Sequence, residues 1–504
     1  MAPLAVVLAA LAAWGVWQAS GADDAGAVPE EQRSIAVLPF TPIGVDEEPD
    51  VFAEGLHSDL VTRLSTASTL DVISITSVRQ FRDRNVSLPT IADTLGARWV
   101  LEGEVQRRGD RLGVNVQLID PRTDRHVWAE SFRRDLTAEN YFALQDEISG
   151  HVVDVLDARL GQAVTRPRGP IEDLEAYRFY VRGRSLLEQR DPEQMRRSLE
   201  YFDQALATDS AYARAWAGRA NALSILARYP TFGPDTLLPK AEEAVRRALE
   251  LDSDRGEAHA ALGRLHMYRR EGPAALDAFR RAIELQPSFA EAHAWLAKLQ
   301  LSLGMPEEAL ASVHRAVKLD PLSPENLGTL VFVLLAGDRP DSALAVSRRI
   351  GDLAEGSGWI YEAHVHGHQG RLEEMRSAFQ RSGSELRELP VYATRAAALG
   401  EPSLAREMLD ELRPGEEPFE AALLRAGLGD ADRALELLGA LYPRDDRPWD
   451  LFYSVYLRYL WPATLDPVRE LPGYDSLIRE MNVEWGLTPE GSLPDTAKTV
   501  ATIS

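Results

Sequence analysis

Two stretches of this 504-residue chain decide its fold, because one repeats the other 34 positions further along. They read AHAALGRLHMYRREGPAALDAFRRAIELQP at 258–287 and AHAWLAKLQLSLGMPEEALASVHRAVKLDP at 292–321. Eight residues of the first stretch are identical to the residue 34 positions later: Ala258, His259, Leu262, Ala275, Leu276, Ala282, Leu285 and Pro287. A fixed period of this length indicates one supersecondary unit stacked many times.

The residues within each copy predict a pair of helices. Small alanines on the second helix allow it to approach the first, and Leu262 and Leu296 fill the gap between them. Pro287 and Pro321 end the second helix, since proline cannot continue the backbone ladder. A single pair leaves an apolar face open, so neighbouring pairs must stack into a solenoid. Period and pattern resemble the tetratricopeptide repeat (TPR).

Weaker copies flank these two. We predict seven or eight helix pairs in an all-α TPR solenoid over 171–445. Capping helices are expected over 446–490, where the aromatic cluster Trp449 to Trp461 is interpreted as buried on the last repeat rather than as an exposed docking patch. A disordered tail is expected at 491–504.

A different pattern precedes the repeats. Buried strands are predicted at 34–40 and 70–75, and Phe52, Leu56, Leu60 and Leu64 share one face of a helix. Three strands of an antiparallel meander are predicted at 99–105, 112–118 and 126–132, and residues 112–118 alternate apolar and polar side chains. The fold class is therefore α+β multidomain: an N-terminal membrane helix, a small α/β domain with an antiparallel meander at 33–162, then the TPR solenoid.

Several ordered blocks of this first domain resemble the TolB-N-like (FlgO-like) family: SIAVLPF, VFAEGLHSDLVTRLS and LGARWVLEGEVQRRGDRLGVNVQLIDPRTDRHVWAESFRRDL. The resemblance implies the sensory half found in bacterial membrane kinases, adenylate cyclases and transcription activators. The sequence has no glycine-rich phosphate loop, kinase catalytic loop or helix-turn-helix. We therefore expect no output domain, no enzyme activity, no catalytic residues and no cofactor.

The N-terminal segment LAVVLAALAAWGVWQA carries no charge from Leu4 to Ala19. It predicts a transmembrane anchor within 1–20, followed by a small-residue linker at 21–32. A cleaved signal peptide and a buried or wrongly assigned start remain alternatives. The acidic flank after the segment predicts a single-pass protein of the bacterial inner membrane with a periplasmic or extracytoplasmic body.

Composition excludes some functions. Acidic residues outnumber basic ones by 78 to 55, which gives a net charge of −23 and argues against nucleic acid as a partner. Cysteine is absent, so disulfides, thiolate nucleophiles and Cys-ligated zinc are excluded.

The expected partner is a protein or peptide held in the concave groove that the first helices of TPR pairs line. The residues predicted for this groove are Arg214, Asn221, Glu257, Arg264, Met267, Glu291, Lys298 and Leu301. Arg264 and Lys298 occupy equivalent repeat positions and are candidates to bind a carboxylate. A plain solvated groove is the alternative.

Two further clusters contain residue types that can act in acid–base catalysis or metal binding. Glu102 and Glu104 share a strand face, and they are interpreted as a solvated hairpin face rather than an acid–base pair. His364, His366 and His368 lie close in sequence, but no zinc-protease pattern accompanies them. Surface or packing roles are favoured, and no metal site is predicted.

Overall fold

The computed structural model describes residues 33–43, 49–67, 70–82, 86–160, 173–354, 357–383, 390–412, 418–440, 462–488 and 491–492. The predicted membrane segment, the linker at 21–32, the aromatic cluster at 449–461 and most of the tail lie outside these residues. Among the helices that are described, none has both the length and the apolar character needed to cross a membrane.

The first unit is built on one six-stranded sheet. Its strands are β1 (Ser34–Val37), β2 (Thr41–Ile43), β3 (Asp71–Val72), β4 (Trp99–Arg108), β5 (Arg111–Asp120) and β6 (Arg125–Asp135). The order is β3-β1-β4-β5-β6, and β2 also pairs with β4. β1 runs parallel to β3 and β4, whereas β4, β5 and β6 form the predicted antiparallel meander.

In the described residues four α-helices accompany the sheet: α1 (Pro49–Ser65), α2 (Ile75–Val78), α3 (Leu88–Leu95) and α4 (Ala138–Leu160). The four apolar residues predicted on one face of α1 are all buried in the core. The strand predicted at 70–75 shortens to β3, because the Ser74 hydroxyl accepts a hydrogen bond from the Thr76 amide and begins α2.

Eight consecutive helical hairpins follow in the described residues. They are α5 (Leu174–Leu187) with α6 (Pro192–Thr208), α7 (Ala213–Leu226) with α8 (Pro234–Leu251), α9 (Gly256–Tyr268) with α10 (Gly272–Leu285), α11 (Ala290–Ser302) with α12 (Pro306–Leu319), α13 (Pro324–Ala336) with α14 (Pro340–Leu353), α15 (Ser357–His368) with α16 (Leu372–Arg381), α17 (Pro390–Ala398) with α18 (Ser403–Glu411), and α19 (Pro418–Gly427) with α20 (Ala431–Gly439). The alternation of helices agrees with the predicted solenoid.

The two strongest repeats form as their sequence predicts. α10 ends at Leu285 and α12 at Leu319, two residues before Pro287 and Pro321 respectively. The recurring alanines are buried between the helices, as close helix approach requires.

Two helices close the described chain, α21 (Pro462–Arg469) and α22 (Pro472–Glu484). They pack on α19 and α20. The chain then reaches back to the third hairpin, where the Gly272 amide donates to the Trp485 carbonyl at 2.9 Å and Glu484 pairs with Arg270. The C-terminal part therefore also joins distant regions of the solenoid.

Candidate functional site

The α/β domain packs against the helix face that was predicted as the groove. Asp59 of α1 is buried and forms an ion pair with Arg214 of α7. Its other oxygen accepts hydrogen bonds from the Tyr177 hydroxyl at 2.7 Å and the Gln145 amide at 2.8 Å. Burial raises the pKa of Asp59, but Arg214 and Arg184 outweigh this effect and hold the pKa below its usual value.

Loops that join successive hairpins form a second contact with the same domain. The Ser288 hydroxyl donates to the Leu70 carbonyl at 2.7 Å and accepts from the Val72 amide at 3.2 Å. The carbonyl of Leu319, the last residue of α12, accepts from the Ser74 amide at 2.7 Å. The start of the solenoid and the α/β domain therefore share a buried, hydrogen-bonded interface.

Charged and apolar contacts extend this interface. Asp71 of β3 pairs with Arg315 at 2.5 Å and Lys318 at 3.0 Å, both on α12. Leu322, in the loop after α12, is buried in a core cluster with Ile73 and Val78 of the α/β domain.

A cavity of about 140 Å³ lies between the two parts. Thr62 and Ser74 line it from the α/β domain, and Tyr180 and Trp295 line it from the solenoid. Its cationic lining residues are Arg184, Arg190, Arg214, Arg255 and Lys298. Its carboxylate lining residues are Glu188, Glu257, Glu291, Asp320 and Glu325.

The structure brings part of the predicted groove together around this cavity. The predicted residues that line it are Arg214, Asn221, Glu257, Glu291 and Lys298.

The other three predicted residues lie elsewhere. Met267 and Leu301 are buried in apolar core clusters. Arg264 is only 1% exposed, and it donates to the Ser224 hydroxyl at 3.0 Å and pairs with Glu291 at 3.1 Å. Its side chain therefore lies within the solenoid rather than on an open groove surface.

Arg264 and Lys298 each already bind a carboxylate of this chain. Arg264 pairs with Glu291, and Lys298 pairs with Glu325 at 2.6 Å; in both pairs the two residues are 27 positions apart. Lys298 holds the pKa of Glu325 far below its usual value, while burial lowers the pKa of Lys298. Each pair joins the first helix of one hairpin to the first helix of the next.

Sequence reasoning missed Asp59 on the α/β domain and two solenoid residues that line the cavity, Arg184 of α5 and Arg190 in the loop after α5. These three residues carry no local pattern that distinguishes them from solvent-facing charges. The two ion pairs within the solenoid could have been predicted from the sequence, because their carboxylates, Glu291 and Glu325, are one repeat apart, as are their cations.

The other clusters hold ordinary structural contacts. Glu102 accepts a hydrogen bond from Gln117 at 2.8 Å and Glu104 from Asn115 at 3.3 Å, both across the β4–β5 pair. Burial lowers the pKa of His364 to about 4. Within the described ranges, no group of three or more His, Asp or Glu side chains is placed to hold a metal ion.

Two protein-family models match the chain. Residues 270–325 match a tetratricopeptide repeat model, which confirms the repeat array predicted from the period. Residues 31–150 match the model of the HilA/YgeH-like transcriptional regulator, second domain. The TolB-N-like resemblance is thus not confirmed, and the domain is instead similar to this regulator domain.

One curated relative is a putative adenylate cyclase 3 of Rhizobium meliloti (strain 1021), 34% identical over 237 residues. The match covers 45% of this chain and 39% of the relative, so the chain spans about two fifths of that protein's length.

The chain is also similar to several solved structures. YrrB, described as a TPR protein with an unusual peptide-binding site, is 20% identical and matches 36% of this chain and 90% of its own, with a TM-score of 0.28. Pseudomonas aeruginosa PilF is 16% identical, matching 43% and 95%, with a TM-score of 0.33. Human IFIT1, solved as a dimer with m7Gppp-AAAA, is 14% identical, matching 72% and 78%, with a TM-score of 0.38.

Proposed function

We propose that this protein is a non-enzymatic scaffold or sensor that binds a protein or peptide partner through its TPR solenoid. TPR arrays generally present stacked helical hairpins to other polypeptides. The buried Asp59–Arg214 ion pair supports a regulated form of this binding, because it joins the chain's own α/β domain to Arg214, one of the residues predicted for the groove. A partner that uses this face competes with the α/β domain, so partner binding and domain docking are coupled.

A second candidate is the ligand-sensing half of a signalling system of the kinase, adenylate cyclase or transcription activator type. The sequence identity to a putative adenylate cyclase and the match to a transcriptional regulator domain support it. In this case the docked α/β domain reports the state of the solenoid to an output domain on a separate polypeptide.

The uncharged N-terminal segment supports a membrane anchor in the bacterial inner membrane, with the body on the periplasmic side. Protease added to intact spheroplasts should then degrade the body, whereas a cytoplasmic marker protein should survive. If the body resists protease in intact spheroplasts and is degraded only after the cells are lysed, this orientation is wrong.

Cross-linked capture from membranes tests the coupling between partner and domain. The variant Leu322→Asp places a charge in the buried contact between loop and α/β domain and should release that domain. Leu251→Asp is the matched control, because Leu251 ends α8 and is 44% exposed.

We expect a partner to be cross-linked by the wild type and by Leu251→Asp in equal amounts. Recovery by Leu322→Asp should increase severalfold, because the released α/β domain no longer competes for the groove. If no protein is captured specifically, or if all three forms capture the same amount, the proposed function is wrong.

A further inference from the structure

The sheet of the α/β domain has one edge that the chain covers and one that it leaves open. At the β3 edge, the Ser288 hydroxyl of the solenoid bonds the Leu70 carbonyl and the Val72 amide, so the solenoid covers this edge. At the opposite edge, β6 pairs with β5, and no other described strand pairs with it. The outer side of β6 is therefore open to a further strand.

Backbone groups along β6 point alternately towards β5 and towards this open edge. The Leu136 amide, directly after β6, donates to the Asp110 carbonyl of the β4–β5 turn at 2.7 Å. Since the direction alternates along an antiparallel strand, the even-numbered residues from 130 to 134 also face β5, and the odd-numbered residues from 129 to 133 face outwards. Among the described residues, these outward groups receive one hydrogen bond, from the Arg134 guanidinium to the Arg133 carbonyl at 3.1 Å.

The sequence of β6 does little to prevent pairing at this edge. Natural sheets protect their edges with short strands, prolines, bulges or several charges. β6 is 11 residues long, has no proline, and carries a single charge, Glu130, between Val127 and Phe132. Ala129 and Ser131, whose backbone groups face outwards, are exposed. A second strand can therefore reach the middle of β6.

The charges on β6 complement a second copy of the same strand. In an antiparallel pair with a two-fold axis at Phe132, Glu130 of each copy lies opposite Arg134 of the other. Glu130 and Arg134 are 40% and 42% exposed, and they contact His151 and Glu147 of α4 at 3.2 Å and 3.1 Å respectively. The pairing thus joins exposed pairs of both copies into one network, whereas an axis at Glu130 would place two carboxylates side by side.

We propose that two copies of this chain associate through antiparallel pairing of their β6 strands, which joins the two sheets into one. In the register centred on Phe132, Ser131 of each copy exchanges backbone hydrogen bonds with Arg133 of the other. The pairing uses neither the β3 edge nor the solenoid, so it goes beyond the proposed partner binding and does not depend on it.

Thiol cross-linking tests this pairing directly, because the chain contains no cysteine. In the proposed dimer two Ser131→Cys residues are diagonal neighbours, about 7–8 Å apart. Asn115→Cys is the matched control: Asn115 is exposed and lies opposite Ser131 on β5, which adds about 10 Å between the two thiols. With a short bismaleimide and the full chain in detergent, we expect severalfold more covalent dimer from Ser131→Cys than from Asn115→Cys.

Charge reversal tests the register. Arg134→Glu places a glutamate opposite Glu130 of the second copy and, because the axis doubles the effect, should weaken dimerisation about tenfold. Adding Glu130→Arg restores opposite charges and should restore the dimer. Arg108→Glu is the control, because Arg108 is exposed on β4, two strands from the edge. Sedimentation equilibrium on the full chain measures dimerisation, and thermal melts confirm that each variant is folded.

A full chain that stays monomeric at high micromolar concentration would overturn the proposal, and so would a strand of another protein being required at this edge, since the purified chain is then monomeric. Equal cross-linking of the two cysteine variants, or an Arg134→Glu dimer as stable as that of the wild type, would also overturn it. Neither measurement uses a captured partner, so failure here is distinguishable from failure of the proposed function.

Discussion

Asp59 is buried where the two parts of the chain meet and pairs with Arg214 across the contact. Replacing it with Asn keeps its shape but leaves Arg214 without its carboxylate. Removing one partner of a buried ion pair typically costs about 3–5 kcal/mol. We expect Asp59→Asn to lower the free energy of unfolding by this order, as measured by urea denaturation at pH 7.

The pH dependence of this effect has a definite sign. The pKa of Asp59 is lower in the folded chain than the 3.8 of an ordinary aspartate, so its contribution is present above pH 4 and is lost as pH falls through the lowered folded value. The control Asp203→Asn breaks the exposed pair with Arg219 and should cost less than about 1 kcal/mol. Equal losses in both variants would contradict the burial argument.

His57 predicts a loss of stability in a different pH window. It is fully buried, its ring lies 2.9 Å from the Val37 carbonyl, and burial lowers its pKa from 6.5 to about 4. The unfolded chain binds the proton first as pH falls from 6.5 towards 4, so folding stability decreases across this range.

Between pH 7 and pH 5 we expect His57 to account for a loss of about 2 kcal/mol. His57→Gln should therefore show a smaller decrease between these two pH values than the wild type, while the exposed His126→Gln should behave like the wild type. Parallel pH profiles for all three would rule out this role of His57.

Among the elements, the hairpin of α9 and α10 shows how packing varies between repeats. A methyl group added at Gly263 would lie 2.8 Å from the Phe279 ring, too close for a stable contact. In the next hairpin the equivalent positions hold Ala297 and Val313, both buried in one core cluster. A larger residue on the first helix is thus matched by a smaller one on the second.

We therefore expect Gly263→Ala to destabilise the protein by about 1–3 kcal/mol. Adding Phe279→Val should make the double variant more stable than the sum of the two single effects, as measured by a double-mutant cycle. Gly439→Ala is the control, because no atom lies within 4 Å of the added methyl group. Strict additivity would contradict the paired packing.

The elements were the part of the fold that sequence could predict. Helix periodicity, the 34-residue repeat and the alternation of the meander are local patterns, and the structure follows them. The long-range contacts are different in kind. Asp59 and Arg214 are 155 positions apart, and their pairing depends on two surfaces that exist only after folding. The same applies to Arg264: the repeat pattern predicts an open groove position, but the neighbouring hairpins bury its side chain.

At the scale of the whole molecule, Trp485 links the C-terminal helices to the third hairpin. Its side chain is 1% exposed and belongs to a core cluster with Leu276, Phe279 and Leu303. Trp485→Ala should cost about 3–5 kcal/mol, because it leaves a cavity between regions far apart in sequence. We expect faster hydrogen exchange not only in α22 but also over 270–305.

The control for this link is Val483→Ala, because Val483 lies in α22 two residues before Trp485 and is exposed. It should leave exchange over 270–305 unchanged. If Trp485→Ala accelerates exchange only within 472–487, the C-terminal helices merely cap the last hairpin. Acceleration at both places means that the packing of Trp485 stabilises the third hairpin as well as the C-terminal helices.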